Sequence, residues 1–355
     1  MVKAICLLGL ILLVQSVEAR EVRLTREWRI CVPAKAGVTE RFASRAIPHM
    51  TCSPPPCVFL TTAVGCIWYN AGRAVECLCV LHLHEPAVWG NVMDDIAKHN
   101  RERWNALADA NVMHSIPFLD YTRDKAADYV YGSGIVADVT GRKVLCLANG
   151  GGQASVAFGL LGAEVTVLDL SDVQLARDRE AAFHHGLEVK TVQGDMCDLS
   201  MFATSHFDLV WQPYSVNYSP TVEPVFREVA RVLKTEGIYF VTFANPFAQA
   251  LDGDSWDGTG YRLRGLCTDG EDISHYYPIW EVEQPDGSTI NVERPHEFRH
   301  SLSTVLNSLA RNEFVLLQLK EWTRNADPLE PGSWPHFTQA AAPWFDSFWR
   351  LKKAG

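Results

Sequence analysis

The stretch VLCLANGGGQ, residues 144–153, runs from an apolar segment into three consecutive glycines. An apolar run of this length bounded by glycine reads as a buried strand, and the residues from Ser155 to Leu161 continue as a helix. At such a turn backbone N–H groups can approach a ligand closely, because no Cβ intervenes and positive φ is open. The same turn also forms without a ligand, so the flanking sequence has to decide.

Outward from the glycines the pattern alternates. Gly162-Ala163 turns the chain into the strand EVTVLDL, and SDVQLARDREAAFHHG follows as a helix with Ser171 as N-cap and Gly186 at its end. VKTVQGD is a third strand, FDLVWQP a fourth, EPVFREVARVLKTEG a helix closed by Gly237, and IYFVTFANP a fifth strand. Strands alternating with helices mean right-handed βαβ units and a mainly parallel sheet, a doubly wound α/β fold. Before this core, MDDIAKHNRERWNALADANV has amphipathic helical spacing, and a short helix is expected around Asp124 to Tyr131. After it come a segment rich in Gly, Asp and aromatics from Phe247 to about Tyr277, a hairpin IWEVEQPDGSTINVERP turning at Asp286-Gly287, a helix in HSLSTVLNSLARNEF, and the strands FVLLQLKEW and APWFDSFWRLKK.

Two aspartates make the glycine turn specific. Asp169 ends the second strand about twenty residues after the glycines, where a carboxylate accepts from ribose hydroxyls. Asp195, in VQGDMCDL, lies at the next strand end and is placed to accept from an adenine amino group, with Met196 packing on the ring. Gly150, Gly152 and then Ser155 match G-x-G-x-x-G only in part, which counts against a nicotinamide dinucleotide.

The blocks VLCLANGGGQ, VTVLDLS, VQGDMCDL, FDLVWQPYSVNY and EVARVLKTEGIYFVTF, in this order, resemble the class I S-adenosylmethionine-dependent methyltransferases, most closely the small-molecule group that includes the quinone-biosynthesis enzymes. The resemblance covers about Asn100 to Leu351. It departs at Cys146, where the family usually has an acid, and at Ala148-Asn149, which replace its Gly-Cys. It implies a Rossmann-like seven-stranded sheet whose last strand, near Trp344 to Leu351, runs antiparallel, with an N-terminal helical cap and a lid or hairpin inserted after strand five. It implies S-adenosylmethionine as cofactor, with Ala148, Gly150 and Gly152 lining the methionine moiety, Asp169 and Leu170 holding the ribose, Asp195 and Met196 the adenine, and Gln212 bordering the sulfonium. Arg101 and Trp104 resemble the family's cap over the cofactor.

Methyl transfer from a sulfonium is an in-line displacement, so positioning in a desolvated pocket supplies much of the catalysis. Where the acceptor is a hydroxyl or an acidic carbon a general base helps; Tyr214, His275 and His300 are candidates, with Tyr218 and His296 beside them. Trp256, Tyr261, Tyr276, Tyr277 and Trp280 follow strand five, and aromatic walls without a basic cluster suggest a small, apolar or aromatic acceptor. Two other readings stay open: an NAD(P)-dependent oxidoreductase using the same turn, and a non-catalytic cofactor-binding protein of this fold, which Cys146 and Asn149 keep in play.

The chain has 355 residues and a net charge of -10, with no cluster of Lys and Arg, which argues against a nucleic-acid partner. Residues 1–19 carry Lys3, an apolar run from Ala4 to Val14, and the small residues Val17 and Ala19, the pattern of a secretory signal. That run is well short of the roughly twenty residues a membrane-spanning helix needs, so no stable anchor is expected. Residues 20–92 hold Cys31, Cys52, Cys57, Cys66, Cys77 and Cys79 and the prolines Pro54 to Pro56, show no sustained strand or helix period, and read as a disulfide-bearing, disordered or gene-model extension preceding a start at Met93. The C-x4-C and C-x-C spacings match no common zinc pattern, so no metal is expected. The methyltransferase-like domain is then 93–355. Because S-adenosylmethionine is an intracellular cofactor, a cytoplasmic protein is expected, with the secretory pathway as the alternative if the signal works.

Overall fold

The computed structural model describes residues 21–24, 28–31, 64–71, 74–81, 86–323 and 329–352, with side chains from residue 95 onward. The signal-like segment and the cysteines at 52 and 57 lie outside the described residues. The chain divides into two compact units, Met1–Gly90 and Asn91–Gly355. In the first, β1 (Glu21–Leu24), β2 (Trp28–Cys31), β3 (Val64–Ala71) and β4 (Ala74–Leu81) form an antiparallel sheet ordered β1-β2-β4-β3. Strands therefore form where no sustained period was expected.

The second unit is organised by a seven-stranded sheet: β5 (Lys143–Leu147), β6 (Glu164–Asp169), β7 (Val189–Gln193), β8 (Phe207–Gln212), β9 (Leu233–Ala244), β14 (Phe314–Trp322) and β15 (Trp344–Leu351). Their order is β14-β15-β9-β8-β5-β6-β7. β5 to β9 pair in parallel, and β15 runs antiparallel to both β9 and β14, as expected for the last strand. The sheet is buried on both faces, so its central strands read as continuous apolar runs. Leu145 and Leu147 point into one core with Phe226, Tyr239 and Phe243; Val144 and Cys146 point into the other with Phe158, Trp211 and Phe348. Cys146 is fully buried in that second core, a small apolar filler.

Helices α1 (Pro86–Asp109), α2 (Arg123–Tyr131), α3 (Ala154–Leu160), α4 (Asp172–His185) and α5 (Glu223–Val232) are where the sequence pattern puts them, within a few residues except at two ends. The start of α1 lies upstream of Met93. α4 has both of its expected caps: Ser171 Oγ accepts from Gln174 N, and Gly186 adopts φ 65°. The expected end of α5 at Gly237 is wrong. The helix stops at Val232 because Leu233 turns extended and pairs with Phe207, drawing the last expected turn into β9 with a bulge. Gly237 serves that bulge: a Cβ there would lie 2.7 Å from both Leu233 Cγ and Lys234 O.

Beyond β9 the chain forms α6 (Pro246–Gln249), β10 (Glu271–Asp272), the hairpin β11 (Ile279–Glu283) and β12 (Thr289–Glu293), β13 (Phe298–Arg299), and α7 (Leu302–Arg311). α8 (Trp334–Ala341), which carried no recognised signal, precedes β15. Val282 and Val292 of the hairpin pack on Leu107 of α1 and on Ala110 and Val112 just after it. A buried Asn100 fastens α1 to the rest: its amide donates to the carbonyls of Tyr218 and His296, and its oxygen accepts from His296 N. Among the described residues no helix is long and apolar enough to cross a membrane.

Candidate functional site

A cavity of about 1210 Å³ opens at the carboxyl ends of the parallel strands, the usual ligand position in doubly wound sheets. Ala148, Gly150, Asp169, Leu170, Asp195 and Met196, contributed by the loops after β5, β6 and β7, all line it. These six of the eight predicted cofactor residues are thus brought together. Gly152 and Gln212 are not on the wall. Gln212 is fully buried beneath it, donating to Met196 Sδ at 3.2 Å and accepting from Tyr239 Oη at 2.5 Å, which fixes the Met196 side chain.

The glycines answer to their own protein as well as to the cavity. A Cβ on Gly150 would lie 2.6 Å from Gln174 Cβ and 3.1 Å from Asp169 Oδ2. Gly152, at φ 81°, packs so closely on α4 that a Cβ would sit 2.8 Å from Ala181 Cβ. The loop is cinched by two carboxylates. Asp169 accepts from Gly150 N and Ser171 N, both at 2.9 Å. Asp178, which the sequence reading missed, accepts from Gly151 N at 3.0 Å, Gly152 N at 3.1 Å and Ser155 Oγ at 2.5 Å. Ser155 thus takes the place of a third glycine by tying α3 to the loop. Burial raises the Asp169 carboxyl above its ordinary range and pushes Asp178 up to about 7. An acid on the Leu175, Ala181, Ala182 stripe of α4 was the available signal for Asp178.

Asp169 spends one hydrogen bond per oxygen on the loop, and a carboxylate offers about four acceptor sites, so capacity for two hydroxyl donors remains. Asn149 borders the cavity, and its Nδ2 is buried with no partner. A buried unsatisfied donor costs about 1–3 kcal/mol, so this amide is suited to a ligand oxygen.

The opposite wall is aromatic. Of the predicted lid aromatics only Trp280 lines the cavity; Trp256 and Tyr261 pack on His336, and Tyr276 and Tyr277 lie against Arg264. The remaining wall comes instead from the sheet and α8: Trp211, Phe240 and Phe348, with Trp322, Trp334 and Trp344. Trp211 stacks on Phe240 at 3.9 Å and donates its indole N–H to Tyr129 Oη at 3.1 Å. Trp104 also reaches the cavity, edge-on to Tyr218 and Trp280, whereas Arg101 is exposed and off the wall.

Among the base candidates, Tyr214 and Tyr218 border the cavity; His275, His296 and His300 do not. His275 is bound to the Asp272 carbonyl, His296 pairs with Asp272 Oδ2 at 2.6 Å, and buried His300 donates to the Ser219 carbonyl at 2.9 Å, its pKa lowered by that burial. Tyr214 is held at φ 60°, uncommon for a bulky residue, and its hydroxyl donates to Glu297. Glu297 lies 83 residues away in sequence, and no motif marked it.

Residues 145–241 match a family model described as a methyltransferase domain. The methyltransferase YbaJ of Bacillus subtilis is 45% identical over 114 residues, covering 32% of this chain and 45% of the relative. A sterol 24-C-methyltransferase of Gibberella zeae is 36% identical over 198 residues, 55% of this chain and 45% of the relative. A ubiquinone biosynthesis O-methyltransferase of Xanthomonas oryzae pv. oryzae is 36% identical over 123 residues, 32% and 48% respectively. The chain spans less than half the length of each of these relatives.

Proposed function

We propose that this chain, which carries a class I S-adenosylmethionine-dependent methyltransferase domain, transfers a methyl group from S-adenosylmethionine to a small, apolar or aromatic molecule. The observation that carries the reading is the meeting of residues from three successive strand ends, Ala148 to Gly150, Asp169 with Leu170, and Asp195 with Met196, on one cavity. The residues present fit the cofactor. Asp169 has unspent acceptor capacity for a ribose, and the orphaned Asn149 amide supplies a donor where the methionine end would lie. When bound, S-adenosylmethionine supplies an electrophilic methyl group on a positively charged sulfur. The chain's part is to orient the nucleophile and exclude water, and the walls of Trp211, Phe240, Phe348 and Trp344 support a flat or apolar acceptor.

The matched relatives are methyltransferases, and Ser155 stands bonded to Asp178 where a dinucleotide loop would carry its third glycine, so nothing favours the oxidoreductase reading. We infer a cytoplasmic setting from the intracellular supply of the cofactor. The test is calorimetric titration of the full chain with S-adenosylmethionine, S-adenosylhomocysteine and NAD, beside Asp169→Ala. Binding of the first two, at least tenfold weaker in the variant, is expected; selective binding of NAD would overturn the reading.

A further inference from the structure

We propose that Tyr214 and Glu297 form a proton-accepting pair, and that the methyl acceptor is accordingly a molecule whose nucleophile is an acidic hydroxyl, a phenol or an enol. This rests on the methyl-transfer reading of the same cavity.

Both side chains border the cavity, and the Tyr214 hydroxyl donates to Glu297 Oε1. The pair is built rather than incidental. Ser215 Oγ donates to the Leu147 carbonyl at 3.4 Å, tying the Tyr214 turn to the end of β5 just before the glycines. Buried Asn217 donates to the Phe298 carbonyl at 3.0 Å and accepts from Ala244 N at 3.0 Å, locking β13, which begins one residue after Glu297, to that turn and to the end of β9. Tyr214 keeps a left-handed backbone, strain of the kind that collects at working sites. Gln249 Nε2 donates to the same Glu297 oxygen at 3.2 Å and orients the carboxylate.

The surroundings suit a base. Burial raises the Glu297 carboxyl above its ordinary range, while the Arg294 guanidinium opposes that rise. The other ionisable groups around it are Tyr218, the Asp272–His296 pair on the β10 side and the Arg299–Glu271 pair beside β13. Arg294 lies over the Trp280 ring at 4.8 Å and borders the cavity, so its charge also faces an oxygen turning anionic there. A neutral amine or an alkene needs no such arrangement to begin its attack, whereas a hydroxyl does. In the step, the acceptor proton passes to Tyr214 Oη as the phenolic proton passes to Glu297. The acceptor oxygen forms the bond to the methyl carbon, and the carbon–sulfur bond breaks with its electron pair left on a neutral thioether.

Catechol, whose hydroxyls stay protonated from pH 5 to 8, is the probe, titrated into the full-length protein saturated with S-adenosylhomocysteine. The catechol hydroxyl donates to Tyr214 Oη, which accepts more strongly while it donates to a carboxylate, so affinity is expected to fall roughly threefold to tenfold as Glu297 protonates toward low pH. Glu297→Gln should bind weakly at every pH with no acid limb, Tyr214→Phe should weaken catechol while keeping S-adenosylhomocysteine, and Asp272→Asn should keep the limb. Methyl transfer to catechol, read as S-adenosylhomocysteine formed, should drop about 100-fold or more in Glu297→Gln. S-adenosylhomocysteine binding combined with pH-independent catechol affinity, an acid limb surviving in Glu297→Gln, or transfer to amines but not to phenols each overturns the pair. A wild type that binds no S-adenosylhomocysteine overturns the cofactor reading itself and the pair with it.

Discussion

Replacing Asp178 by Asn tests how the glycine loop is held. The carboxylate is fully buried on α4 and accepts three hydrogen bonds from the loop and Ser155, yet burial outweighs them and pushes its pKa up to about 7 from an ordinary 3.8. Between those two values the folded chain binds a proton at this site that the unfolded chain has released. Stability contributed by protonated Asp178 is therefore complete below about pH 4 and is lost as pH rises toward 7. The span of about three pK units, at about 1.4 kcal/mol each, amounts to roughly 4 kcal/mol. Asn cannot ionise, so it lacks this slope. It also turns an amide N–H toward a backbone N–H that Asp accepts, a mismatch of about 1–3 kcal/mol that is independent of pH. Denaturant unfolding of wild type and Asp178→Asn from pH 4.5 to 8 should show the variant clearly weaker at the acid end, with the gap closing or reversing by pH 8. The buried Asp169 adds a slope of the same sign in both proteins, and since its charge also helps raise Asp178, the variant relieves that repulsion as well. A gap between the two proteins that stays constant across this range would refute the reasoning.

Gly150→Ala places a methyl 2.6 Å from Gln174 Cβ, and overpacking of this kind costs about 1–3 kcal/mol; a lower melting temperature and weaker S-adenosylhomocysteine binding in calorimetry are expected together. Asn100→Ala removes three buried hydrogen bonds that hold α1 over the cavity, and should speed exchange of amide hydrogens in α1 while leaving β5 to β9 protected. Trp211→Ala deletes a ring stacked on Phe240 and should destabilise by about 3–5 kcal/mol in denaturant unfolding.

The order of strands and helices from residue 143 to 244 was legible because each element carries its own signal, apolar runs bounded by glycine with Ser171 and Gly186 as caps, and the later hairpin was marked by its turn pair Asp286-Gly287. The convergence of Ala148, Gly150, Asp169, Leu170, Asp195 and Met196 on one cavity was legible for the same reason, since residues at successive strand ends of one parallel sheet meet there. Where the reading erred, a distant partner had decided. The helix expected to reach Gly237 gives way at Leu233 because β8 claims that residue for the sheet.

By itself, then, the sequence determined the α/β alternation, the glycine turn and the aspartates that follow it, all features set by neighbours a few residues apart or by a fixed repeat. Only the tertiary structure decided that Asp178 holds the loop, that Glu297 meets Tyr214 across 83 residues, and that the aromatic wall comes from Trp211, Phe240 and Phe348 rather than from the segment after strand five. Such contacts depend on which faces of separate elements are pressed together, and the packing of the whole sheet settles that.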